Sequence, residues 1–177
     1  MNTLQYYISC FVSMNCNKYH GEIAPHKAMM LIAVMDEIAN GHLTNGFVPH
    51  NGRMVKAFEL AWKRYVGASN VFNPVFATPF FHLCNEPFWK LMKSDCFVEK
   101  KEYSLGALRE SFYGAKLSDD LFQYMEEPVS RQRLMRALLD KYIPNWLDNE
   151  DSWMVAESEI ENESSEKKEL FIKVSHT

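Results

Sequence analysis

Residues 28–35, AMMLIAVM, constrain this chain more than any other stretch: eight consecutive apolar residues lie between Pro25 and Gly41. A helix turns about 100° per residue, so such a run covers every side and leaves no solvent face. Pro25 suits the first turn of a helix and Gly41 suits its stop. The run therefore predicts a buried helix over about residues 25–40, with the rest of a single domain packed around it. A chain of 177 residues, 47% hydrophobic and 14% aromatic, supplies enough apolar material for that core.

The first turn of this helix carries His26 and Lys27. Positive charge is the wrong sign at a helix N-terminus, where each cation costs about 0.3–1 kcal/mol against the dipole. Two arrangements remove the cost. A bound phosphate would be attracted both by the unpaired N–H groups and by the basic pair. Alternatively Glu22 or another nearby acid pairs with Lys27 while His26 stays neutral.

Charge is distributed unevenly along the chain. From Asp148 onward nine acids face three bases, a net of −6, whereas the whole chain is −4 and the body before it therefore +2. A mildly basic body with an acidic tail is compatible with a polyanionic partner that the overall charge would hide. The composition of residues 147–177 reads as disordered or as a segment that docks on the body. No run reaches the roughly 20 apolar residues of a membrane span. Four cysteines without a CxxC pair point to free thiols in a reducing cytoplasm.

The remaining elements follow from caps and breakers. A first helix is expected over residues 3–14, and 15–25 reads as loop. A second amphipathic helix, RMVKAFELAWKRYVG, places Met54, Phe58, Leu60, Ala61 and Tyr65 on its apolar face and Arg53 and Lys56 on its basic side. Pro74, Pro79 and Pro87 break the aromatic-rich region that follows, which predicts a short helix at 89–92 and a strand at 96–99. That strand is expected to pair with residues 43–48. Ser104, Ser118 and Pro128 open three closing helices, the last carrying Val129, Leu134, Leu138, Leu139 and Tyr142 as an apolar stripe ended by Pro144. The fold class is thus mostly α (α+β), with a small β element.

Chemistry-bearing motifs are sparse. The chain has no GxxxxGK[ST], GxGxxG, GxSxG or HExxH sequence, hence no catalytic or cofactor signature of those kinds. His42, His50 and Asn51 offer two parts of an HNH finger but no further metal ligand at suitable spacing. Asp95, Glu99 and Lys101 form a D-x3-E-x-K run that reads more simply as a charged edge strand. Cys16 and His20 lack the second ligand pair a zinc site needs.

Three blocks, APHKAMMLIAVMDEI, ATPFFHLCNEPFW and LSDDLFQYMEEPVSRQRLMRALLDKYIP, resemble in order and spacing the N-terminal domain of HNH-type restriction endonucleases. That family includes sulfur-binding domains that read phosphorothioate-modified DNA. The resemblance covers most of residues 20–145; the family's nuclease half has no counterpart here. It implies that His26 and Lys27 contact the DNA backbone and that Thr78, Pro79 and His82 form a cup for sulfur. Thr78 stands where the family carries an aromatic. With Arg53 and Lys56 as further phosphate contacts, the expectation is a non-catalytic module binding double-stranded DNA in a restriction or defence system. A separately encoded nuclease would be its partner. The alternative is a regulatory, protein-binding subunit that kept the fold and uses the acidic tail as a DNA mimic.

Overall fold

The computed structural model describes residues 1–68 and 71–147, so the acidic tail and the expectations placed on it lie outside the described residues. The fold is mostly helical α+β. Helix α1 (Leu4–Val12) is capped by Thr3, whose side chain accepts from the Tyr6 N–H. A two-stranded hairpin follows, β1 (Lys18–Tyr19) and β2 (Glu22–Ile23), then α2 (His26–Ala39), β3 (Phe47–Val48) and α3 (Gly52–Tyr65). Next come α4 (Ala77–His82), a 3-10 turn (Leu83–Asn85), β4 (Trp89–Lys93), α5 (Leu105–Ser111), β5 (Phe112–Leu117), α6 (Asp119–Glu126) and α7 (Pro128–Tyr142).

Helix α2 is the axis of the domain. Every residue from 28 to 35 is 0% exposed. The helix is surrounded by α3, α4, α6 and α7, which is why an all-round apolar run is tolerated. Full burial of each large side chain contributes about 1.5–3 kcal/mol, so this segment is a substantial part of the apolar driving force.

Several local expectations are corrected by long-range pairing. Residues 89–92 form strand rather than helix, because Trp89 through Lys93 run antiparallel to β5 from Leu117 back to Phe112. Residues 96–99 are a turn and an irregular stretch, not a strand. Phe47–Val48 pairs instead with Lys116 and Ala115 of β5, making a sheet of order β3-β5-β4. Pro79 does not exclude helix locally: it sits in the first turn of α4, where its missing N–H costs no intrahelical bond. The loop expected at 15–25 contains the β1–β2 hairpin, whose two-residue turn has His20 at φ 51° and Gly21 at φ 79°. Leu60 and Val129, placed on apolar stripes by periodicity, are exposed at the surface.

Close approach explains one glycine. A Cβ on Gly114 would lie 2.6 Å from both the Phe47 ring and the Val48 carbonyl oxygen, so any side chain here would push β3 off β5.

Candidate functional site

The start of α2 is held by a buried ion pair. Lys27 Nζ donates to Glu86 Oε1 at 2.9 Å and to the Asn15 carbonyl at 2.7 Å. The same carboxylate oxygen accepts the Asn15 N–H at 3.1 Å. The two side chains are only 8% and 10% exposed, so the pair ties the α1–β1 connection, the α2 entry and the end of the 3-10 turn together. Neither Glu22 nor a phosphate is needed to offset the Lys27 charge in the free chain.

His26 faces a different requirement. Its Nε2–H donates to the Asn73 carbonyl at 2.7 Å, and its ring lies 4.8 Å from Trp62 and 5.8 Å from Phe72. Burial disfavours the imidazolium and pushes its pKa below the usual histidine value, with the Asn73 carbonyl opposing the shift. His26 at neutral pH is therefore an uncharged anchor for the loop before α4.

Residues up to 70 positions apart, Asn15 to Asn85, converge on one cleft of about 660 Å³. His26 and Lys27 line it from α2, and Thr78, Pro79 and His82 from α4. Thr78 is exposed, Pro79 buried and His82 half-buried. Burial first, then the nearby Lys27 ammonium, lowers the His82 pKa and keeps it neutral. The opposite wall comes from the hairpin, where Lys18 and Tyr19 are exposed. Lys18 makes no ion pair among the described residues and so supplies exposed positive charge at the rim.

Cys16 also lines the cleft. Burial raises its pKa, against a smaller pull from Lys27, so the thiol is protonated at neutral pH and is a poor nucleophile. Tyr142, whose hydroxyl donates to the Phe11 carbonyl at 2.6 Å, is pushed upward by the same desolvation. The cleft thus combines neutral rings, apolar surface, one internally balanced lysine and one free lysine.

Arg53 and Lys56 do not line this cleft. Arg53 Nη1 donates to His42 Nε2 at 2.9 Å, and His42 Nδ1–H donates to Glu37 Oε2 at 3.1 Å, a chain linking α2 to α3. Lys56 is exposed on α3. The HNH-like residues are likewise occupied structurally: His50 Nε2–H donates to the Phe112 carbonyl and Asn51 caps α3 by accepting the Met54 N–H. Among the described residues no three His, Cys, Asp or Glu side chains come together as a metal site would require.

Sequence reasoning missed Glu86, Lys18 and Tyr19. Glu86 lies 59 residues from Lys27, and no local spacing signals such a pair. The hairpin was signalled by Tyr19-His20-Gly21, since a histidine followed by glycine suits a turn with two positive φ values. No protein-family model and no curated protein matches the chain.

Proposed function

We propose that the chain is a non-catalytic DNA-binding module whose cleft between α2, α4 and the β1–β2 hairpin takes one backbone phosphate or phosphorothioate group. One observation supports this reading: the residues that the family resemblance assigns to backbone contact, His26 and Lys27, share a single cleft with those it assigns to the sulfur cup, Thr78, Pro79 and His82. Sulfur in place of a phosphate oxygen is larger, softer and less hydrated. A cleft of neutral rings and proline accepts it at lower desolvation cost than a charged oxygen.

The buried Lys27–Glu86 pair sharpens the selectivity argument. Its charges offset each other, so the cleft interior offers little to an ordinary hydrated phosphate. Lys18 at the rim supplies the steering charge. In this reading the protein works in the cytoplasm beside a separately encoded nuclease in a restriction or defence system.

The test is a mobility-shift titration of the full chain with matched duplexes, with and without a single phosphorothioate linkage, over a salt series. Tighter binding to the modified duplex is expected, with salt dependence from the backbone contacts. Equal binding to both removes sulfur recognition, and no binding to either at low salt removes the DNA reading.

A further inference from the structure

The three-stranded sheet carries a charge arrangement that neither folding nor the cleft explains. Lys90 of β4 and Lys116 of β5 are direct cross-strand partners, and both are exposed. Side chains directly opposite each other on one face have Cβ atoms about 4.5–5.5 Å apart, and like charges there oppose sheet formation. Strands β3, β4 and β5 contain Lys90, Lys93 and Lys116 and no acidic residue. Neither Lys90 nor Lys116 makes an ion pair among the described residues.

Protection of a sheet edge accounts for only part of this. Lysines on an edge strand discourage pairing with other chains, which suffices for Lys90 and Lys93 on β4. Lys116 lies on β5, the central strand, where there is no edge to guard. Core packing does not require it either, since the buried face of the sheet is formed by Val48, Ala115 and Leu117.

The surroundings of the two lysines fit a chain of phosphates. Phe47 is the second cross-strand partner of Lys116, and its ring lies against Gly114, where any Cβ would strike it. Met92, opposite Gly114, is 38% exposed. A bulge leaves Tyr113 without a cross-strand partner and 55% exposed. Lysines beside the exposed Tyr113 ring and the half-buried Phe47 ring, on strands without carboxylates, suit a polynucleotide backbone whose phosphates meet the ammonium groups while its sugars lie on apolar surface.

We propose that this sheet face is a second nucleic-acid contact, in which Lys90 and Lys116 bind successive backbone phosphates. The inference shares its class of ligand with the proposed function but uses a separate surface.

The experiment is fluorescence anisotropy of the full chain with an unmodified, labelled DNA duplex over a salt series. Wild type, Lys116→Glu, Lys90→Gln/Lys116→Gln and the cleft variant Thr78→Glu are compared, each with its melting temperature. The double glutamine variant is expected to lower the salt slope by about two, one per lost phosphate contact. Lys116→Glu is expected to weaken binding about tenfold at low salt while its melting temperature holds or rises, because an acid now faces Lys90. A structural role would move stability and leave the salt slope alone. Unchanged affinity and slope in both lysine variants overturns the proposal even if Thr78→Glu abolishes binding. The reverse pattern, loss only in the lysine variants, supports the proposal, and the cleft reading is tested separately with the phosphorothioate-bearing duplex. If polyglutamate displaces the duplex as well as unlabelled DNA does, an acidic protein partner replaces nucleic acid and the proposal fails.

Discussion

Lys27 Nζ and Glu86 Oε1, from residues 59 positions apart, meet at 2.9 Å beneath the cleft and close the entry of the buried helix α2. This pair answers the electrostatic puzzle at the helix start: the misplaced cation is neutralised by an acid from the other side of the fold. It is also where stability and the candidate site are joined.

Removing one partner of that pair strands the other in a nearly dry environment. Glu86→Ala is expected to destabilise the fold by about 3 kcal/mol in urea unfolding. Lys27→Met combined with Glu86→Leu should recover most of that loss, since a well-packed apolar pair escapes the desolvation cost. A double-mutant cycle measures the coupling. Additive single effects would show that the pair does not act as a unit.

His26 sets an acid limit on stability. Burial lowers its pKa below the ordinary 6.5, so the unfolded chain binds the extra proton first as pH falls. The contribution is fully present above about 6.5 and declines as pH drops from there through the lowered folded value. Thermal melts of wild type and His26→Gln between pH 7.5 and 5 should show a steeper decline for wild type.

Asp36 acts in the opposite direction. Burial raises its carboxyl from an ordinary 3.8 to about 6, with Glu37 pushing the same way and Arg64 and Arg131 opposing. The folded chain therefore holds a proton that the unfolded chain has released, and stability falls as pH rises through that window. Asp36→Asn should remove this fall, which a comparison of urea midpoints at pH 4.5 and pH 7 reads directly.

Gly114→Ala should be costly for a one-carbon change. The added Cβ meets the Phe47 ring and, less forgivingly, the Val48 carbonyl oxygen at 2.6 Å. Overpacking of this kind costs about 1–3 kcal/mol. A drop of several degrees in melting temperature is expected, whereas Gly106→Ala, with open space around it, should be close to neutral or stabilising.

The parts of the fold legible in the sequence were those encoded locally. Residues 28–35 announced a buried helix because no polar residue interrupts them, and Ser104 and Pro128 marked helix starts through their own side-chain chemistry. Strand β4 was misread because nothing within residues 89–93 distinguishes helix from strand; its conformation is set by β5, whose paired residues lie 19 to 28 positions on. The site divides in the same way. His26 and Lys27, an oddity of charge at a helix start, and Thr78, Pro79 and His82, named only through the family resemblance, share a cleft. The charge state of that cleft was not legible, because it depends on Glu86, on burial of two histidines and on the hairpin bearing Lys18. Arg53 and Lys56 were selected for charge alone, and the fold carries them elsewhere.

The most direct test of the cleft uses Thr78, exposed at its rim and free of core packing. Thr78→Glu places a carboxylate where the backbone group is proposed to sit. In an anisotropy titration of the full chain with a phosphorothioate-bearing duplex, its affinity should fall at least about tenfold, roughly 1.4 kcal/mol, with the melting temperature of wild type retained. Wild-type affinity in this variant would contradict the account.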